Sequence, residues 1–276
     1  MRLCAFVLGL LLAFAPARGE EMKVPLAIDG ETISFVLRTH VPPGPGPFPT
    51  LIFHHGSTGS GRDPGRFFAP FDPVSLSQVF LARGWAVVLP SRRGGSTGFY
   101  DEGFAVMRSQ GYTCDKPISL AGAERALRDI DVLTTVILDL PFVDRSRVVI
   151  GGQSRGGILA VAYAGMRPEL FNGAINFVGG WLGSGCRTSA EIHAELFGRG
   201  AAFAKPMLWL YGNNDPYYPL VHSRAGYNAF LAAGGKGTFH EYHDIGDLNG
   251  HLIIAHQQIW TADVDDYLKQ IGLGSR

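Results

Sequence analysis

Apolar residues in this chain fall mostly into short continuous runs separated by Gly, Pro and charged residues. Thr50-Leu51-Ile52-Phe53-His54 is one such run, and residues 85–89, 147–150, 173–178 and 206–211 are others. Runs this short, closed by turn residues, read as strands buried on both faces. Residues 32–40 alternate enough to form an early strand, and residues 238–245 read as the last one. Helical spacing marks residues 75–83, 120–138, 158–166, 220–233 and 251–271; in the second of these Ala121, Leu127, Ile130 and Val136 hold apolar positions. Strands and helices therefore alternate. That pattern predicts a single α/β domain with a mostly parallel sheet covered by helices on both faces, and ligands bound beyond the carboxyl ends of the strands.

Two segments break the alternation. Residues 91–114 are Gly-rich and irregular, long enough to read as a functional loop. Residues 181–200 sit between two strands, where a lid would be small at most. The amino terminus is different again. Arg2 precedes an apolar stretch from Leu3 to Phe14, and Ala15-Pro16-Ala17 and Ala17-Arg18-Gly19 offer small residues for cleavage. Residues 1–19 read as a secretory signal peptide, leaving a domain over 20–276 and a secreted or periplasmic product with no stable membrane insertion.

Composition narrows the partners. Lys plus Arg and Asp plus Glu balance at 24 each in 276 residues, with 46% apolar and 17% charged residues. A neutral chain without a basic run gives no support for nucleic-acid binding. Without Cys4, an exported chain keeps Cys114 and Cys186, both in loop-like segments and candidates for a disulfide. No His-x-x-x-His or Cys-x-x-Cys spacing supports a metal, and no cofactor is expected.

The chemistry enters at Val148-Val149-Ile150-Gly151-Gly152-Gln153-Ser154-Arg155-Gly156-Gly157. A β-branched run ends in Gly-x-Ser-x-Gly, and an Ala-rich helical stretch follows. Strand, sharp turn, serine and helix make a nucleophile elbow, with small residues where bulk would collide across the turn. Ser154 is the candidate nucleophile of acyl transfer.

Together with His55-Gly56-Ser57, Asp215 and Gly250-His251, this motif resembles the α/β-hydrolase superfamily over nearly all of the mature sequence. Within it, the compact layout is similar to the dienelactone-hydrolase-like and prolyl-oligopeptidase-like esterase groups. The resemblance implies an α/β-hydrolase fold with a small lid or none, and a Ser–acid–His order along the chain. Asp215, directly after the run 206–211, fits the acid, with Asp244 and Asp247 in reserve. His251, in a loop after the last strand, fits the base ahead of His240, His243 and His256. Arg155 supplies one oxyanion N–H, and the resemblance gives the other to Ser57, with Gly56 an alternative. Arg92 and Arg93, beyond a strand end, either bind a substrate carboxylate or pair with a structural partner.

The expected activity is hydrolysis of a small-molecule carboxylic ester through an acyl-enzyme. Two rivals stand beside it: a serine exopeptidase of prolyl-oligopeptidase type, with Asp101 or Glu102 receiving the substrate amine, and a non-catalytic binding protein of the same fold. The substrate and the oligomeric state are not encoded in any motif.

Overall fold

The computed structural model describes residues 18–57, 73–92 and 113–274. The body of the expected signal segment (1–17), Arg93, Asp101, Glu102 and most of the Gly-rich loop lie outside them. Eight strands form one sheet: β1 (Arg18–Ile28), β2 (Glu31–Val41), β3 (Phe48–His54), β4 (Ala86–Pro90), β5 (Val143–Gln153), β6 (Gly173–Phe177), β7 (Met207–Gly212) and β8 (Gly237–Tyr242), in the order β1-β2-β4-β3-β5-β6-β7-β8. From β4 to β8 every neighbouring pair is parallel, while β1 and β2 add an antiparallel edge. Among the described residues six α-helices accompany the sheet: α1 (Val74–Leu81), α2 (Lys116–Leu138), α3 (Arg155–Met166), α4 (Ser189–Arg199), α5 (Leu220–Ala232) and α6 (Gln257–Gln270).

The central strands are those whose sequences are apolar without interruption. Leu51, Ile52 and Phe53 of β3, Val148, Val149 and Ile150 of β5, and Leu208, Trp209 and Leu210 of β7 are buried, as parallel strands covered on both faces must be. Helix α3 follows the elbow directly and is buried from Arg155 to Ala164. Its Ala-rich sequence suits a helix surrounded on all sides, since small side chains let neighbours approach closely.

Several boundaries depart from the sequence pattern. Strand β1 turns Met22, Val24 and Leu26 toward the core, alternating with exposed Lys23, Pro25 and Ala27; it pairs with β2 through Asp29-Gly30, whose φ values of 55° and 83° give a two-residue hairpin turn. Helix α2 begins at Lys116 rather than 120, because the Asp115 side chain accepts from Ile118 N–H at 2.9 Å and Pro117 favours the first turn. The expected helix over 251–271 is two elements, a 3₁₀ turn (Gly250–Ala255) and α6, with His256 at the junction. Strand β8 ends at Tyr242, so His243 lies beyond it rather than within it.

The segment where a small lid at most is expected packs into the body. Helix α4 turns Ile192, His193, Leu196 and Phe197 inward, against α3 and α5. Just before it, Cys186 forms a disulfide with Cys114, with Cα atoms 5.6 Å apart, which ties the entry to α4 to the entry to α2. Thr188 Oγ1 also donates to the Cys114 carbonyl at 2.5 Å.

A cross-link between residues 72 apart in sequence restricts the unfolded chain strongly. Replacing Cys114 and Cys186 together by Ser is expected to lower the unfolding free energy by about 2–4 kcal/mol. The check is urea unfolding in non-reducing buffer, where an unchanged midpoint would show that no such restriction operates.

Candidate functional site

The site is assembled where β3, β5 and β7 end. At the end of β5 the chain turns so sharply that Ser154 takes φ 55°, ψ −122°, a strained conformation for a residue with a side chain. The turn is closed by Ser154 N–H donating to the Phe177 carbonyl at 3.0 Å and by Gly157 and Gly180 N–H donating to the Ser154 carbonyl at 2.9 and 3.1 Å. Glycine is required at Gly156, where a Cβ would lie 2.1 Å from the His54 carbonyl oxygen. Val178, β-branched yet at φ 44°, marks a second strained point on the neighbouring strand end. Ser154 is the N-cap residue of α3, so the positive end of that helix's dipole lies at the serine.

The loop after β3 comes up against the elbow: a Cβ on Gly56 would be 3.2 Å from Ser154 Cβ and 3.7 Å from Oγ. This places the backbone of His55, Gly56 and Ser57 beside the serine. Arg92 secures that loop. It is 2% exposed, and its guanidinium donates to the His55 and Gly56 carbonyls at 2.9 and 3.2 Å. Its N–H also donates to His55 Nε2 at 3.2 Å, while His55 Nδ1 donates to the Gly56 carbonyl at 2.7 Å, which fixes the His55 tautomer. The two carbonyl contacts are structural partners of Arg92, and they are backbone groups rather than a carboxylate.

Beyond β7, Asn214 takes φ 57° and turns Asp215 inward. Asp215 Oδ1 accepts from the N–H groups of Tyr217 and Tyr218 at 2.8 and 3.0 Å, and Oδ2 accepts from His251 Nδ1 at 2.8 Å. His251 comes from the 3₁₀ turn after β8. Asn249 Oδ1 accepts its N–H at 2.9 Å, and Gln153 Nε2 donates to its carbonyl at 2.8 Å. Gly250 explains why the turn sits there, since a Cβ would lie 1.9 Å from the Asn213 carbonyl oxygen. The turn that carries His251 thus rests directly on the loop that carries Asp215. Asp215, a carboxylate acceptor, leaves His251 with its proton on Nδ1 and a lone pair on Nε2. The other histidines lie elsewhere: His240 pairs with Asp263 at 3.2 Å, and His243 with Glu241 at 3.0 Å.

Behind the elbow is a polar layer that no sequence motif announced. Arg155 is buried, donates from Nε to the Trp181 carbonyl at 2.9 Å, and stacks over the Trp181 ring at 4.5 Å. Trp181 N–H in turn donates to His193 Nε2 at 2.8 Å, as does Leu182 N–H at 3.3 Å. His193 must therefore carry its proton on Nδ1, which lies 3.1 Å from His222 Nε2 and donates to it. Burial pushes His193 down to about 3, with the adjacent His222 adding to the shift. His54 is buried without a hydrogen-bond partner for either ring nitrogen. Burial first, then the positive charge of Arg92, holds it well below the usual histidine range. Among the described residues, no group of three or more His, Cys, Asp or Glu side chains converges as a metal site would require.

The sheet order, the elbow and the strand-end loops define the α/β-hydrolase fold. A Klebsiella pneumoniae protein described provisionally as a dienelactone hydrolase superposes with a TM-score of 0.56 at 17% identity, over 92% of this chain and 99% of its own. Est1E of Butyrivibrio proteoclasticus gives a TM-score of 0.59 at 15% identity, over 90% and 98%. At these identities the likeness is one of fold. The profile of the phospholipase/carboxylesterase family matches residues 110–251, just over half of the chain, and the chain belongs to that family. A curated relative, Protease 2 of Moraxella lacunata, is 29% identical over 129 residues, which is 46% of this chain but only 16% of that protein.

The two depressed histidines bear on acid stability. A histidine whose folded pKa lies below its unfolded value of 6.5 stabilises fully above that value. As pH falls below about 6.5 the unfolded chain takes up the proton first and stability is lost. For His193 the loss continues down to about pH 3. From pH 7 to pH 5 this amounts to about 2 kcal/mol for one such group. His193→Gln, which keeps an acceptor for Trp181 N–H, is expected to remove about that much of the acid-induced loss in urea titrations at the two pH values. An identical pH dependence in wild type and variant would refute the assignment.

Proposed function

We propose that this protein is an exported serine hydrolase that cleaves carboxylic esters with Ser154 as nucleophile, His251 as base and Asp215 as the orienting acid. The observation that carries the reading is the 2.8 Å hydrogen bond from His251 Nδ1 to Asp215, made across strand ends that also present Ser154 on a strained elbow. A serine hydroxyl is a weak nucleophile until a base takes its proton. The Asp215 bond leaves the Nε2 lone pair free for that task, and the buried carboxylate stabilises the imidazolium that results.

In the first half-reaction Ser154 Oγ attacks the ester carbonyl and its proton passes to His251. The Arg155 and Ser57 N–H groups hold the oxyanion, and the dipole of α3 adds to them. Collapse of the intermediate breaks the bond to the alcohol, which leaves with the proton from His251. Water then repeats the sequence on the acyl-enzyme, freeing the acid and restoring Ser154. Arg92 contributes by fixing the loop that carries Ser57, a positioning task that its contacts with the His55 and Gly56 carbonyls support. Arg93 remains a candidate for a substrate carboxylate.

The apolar leader and its small-residue cleavage sites support export. Among the described residues no helix is long and apolar enough to cross a membrane. A peptidase reading is favoured by one observation, the 29% identity to Protease 2 over 129 residues.

Ser154→Ala is expected to lower hydrolysis of short-chain p-nitrophenyl esters by at least about a thousandfold. A fluorophosphonate probe should label wild type at Ser154 alone. Wild-type activity in the variant, or clean labelling elsewhere, would sink the mechanism, and absence of labelling on folded protein would revive the binding-protein reading. Faster turnover of aminoacyl-nitroanilides than of matched esters would transfer the assignment to a peptidase.

A further inference from the structure

One buried hydroxyl beside the proposed nucleophile has no part in the reaction as written. Tyr218 lies three residues after Asp215 and is buried. Its N–H donates to Asp215 Oδ1 at 3.0 Å, so its backbone already belongs to the acid's environment. Its ring then reaches back across the strand ends. A Cβ on Gly180 would lie 2.6 Å from both Cε1 and Cζ of Tyr218, so the hydroxyl end of the phenol rests against Gly180. Gly180 N–H is itself bonded to the Ser154 carbonyl at 3.1 Å. The Tyr218 ring centroid is 5.4 Å from that of His251 and 5.6 Å from that of His193, and the His222 ring stacks parallel to it at 6.5 Å. Ser154 is among the groups that act on its hydroxyl, opposing the upward push of burial.

We infer that Tyr218 is a further catalytic residue, whose phenol O–H donates a hydrogen bond to Ser154 Oγ and stabilises charge on that oxygen during the reaction. The inference rests on the serine-hydrolase reading above. The direction of the bond follows from its neighbours. His251 Nε2 takes the Ser154 proton, so what remains on Oγ is lone-pair density, which can only accept. Tyr218 has one hydrogen to give. Burial keeps the phenol protonated, pushing it up to about 12 against the opposing influence of Arg155 and Ser154, with Asp215 adding to the rise. No proton leaves Tyr218 at any step.

The place of this donor distinguishes it from the oxyanion N–H groups. Arg155 and Ser57 serve the carbonyl oxygen of the substrate. Tyr218 would serve the serine oxygen, which loses its proton to His251 as it bonds to the carbonyl carbon. In the second half-reaction the same oxygen leaves that carbon and regains a proton from His251. Oγ carries partial negative charge at both points, so a hydrogen bond held to it lowers both barriers. The surrounding rings and Gly180 hold the phenol in place whether or not the hydroxyl is present.

Tyr218→Phe tests this in the full chain, with fluorophosphonate labelling of Ser154 and p-nitrophenyl acetate turnover read together. The expected result is a fall of roughly 10- to 100-fold in both the labelling rate and kcat, with KM within about twofold of wild type and an unchanged Tm. Wild-type rates in the variant overturn the inference. A second measurement covers the case in which the variant is unstable. Tyrosine at 218 is replaced by a fluorinated tyrosine of lower phenol pKa, which preserves the packing. Turnover should then acquire an alkaline limb, falling as the phenol ionises, that wild type does not show over the same range; a superimposable pH profile overturns the inference. Wild-type protein that the probe does not label at all would instead refute the serine-hydrolase reading itself, so the two failures are distinguishable.

Discussion

The whole site depends on backbone packed against backbone at the strand ends, at distances that leave no space for a side chain. Gly156 rests on the carbonyl of His54, which brings the end of β5 against the loop after β3. Gly250 rests on the carbonyl of Asn213, which brings the loop after β8 against the turn after β7. The first contact sets the serine beside its prospective oxyanion donors. The second sets the turn that carries His251 beside Asp215. Side-chain hydrogen bonds then refine what these contacts impose, since a bond such as that of His251 to Asp215 has a geometric requirement of only a few tenths of an ångström. Gln153 links the two halves, because it stands in the elbow and donates to the His251 carbonyl.

The second constraint is that the groups supporting the site remain neutral or fully engaged. Burial next to Arg92 penalises any charge on His54, and burial penalises charge on His193. A neutral His193 can accept two backbone N–H bonds on one nitrogen and donate from the other, and it thereby holds Trp181 under the guanidinium of Arg155. The two arginines carry the local positive charge, and both donate to backbone carbonyls as well as lying near the elbow. A layer of this kind favours negative charge developing on an oxygen in front of it without needing to rearrange, which is what preorganised electrostatic stabilisation requires.

How far the sequence discloses all this depends on whether the physical signal is local. Uninterrupted apolar runs gave the parallel strands, because burial on both faces leaves no polar position. The elbow is legible because its strain demands Gly at fixed spacing from Ser154, whereas Gly250 before His251 is legible only through the family resemblance, its close approach to Asn213 appearing in the structure alone. Strand β1 is hidden by its own pattern, since the inward Met22, Val24 and Leu26 alternate with exposed residues and Pro25 argues against a strand; Asp29-Gly30 is the available sign of its hairpin. The break between the 3₁₀ turn and α6 was also missed. Residues 251–271 keep a helical apolar pattern through it, and only the Asn249 cap on His251 N–H reveals the separate turn. His193 and Tyr218 have no motif to mark them, and although Arg92 and Gln153 are singled out by position, their backbone partners are remote in sequence.

Tyr218 shows why such residues are where a common fold acquires individual character. The acid loop must supply N–H groups to Asp215, and any residue at 217 and 218 can do so through its backbone. The side chain at 218 is therefore free of the acid's requirement and can be chosen for the space it enters. That space is bounded by Gly180, His193 and His222, which accept a flat ring and offer little to a flexible one. A ring fixed on this wall carries its para substituent to the serine with almost no torsional freedom. An ordinary hydrogen bond then becomes one whose donor is already oriented, and orientation paid in folding is not paid again in the reaction.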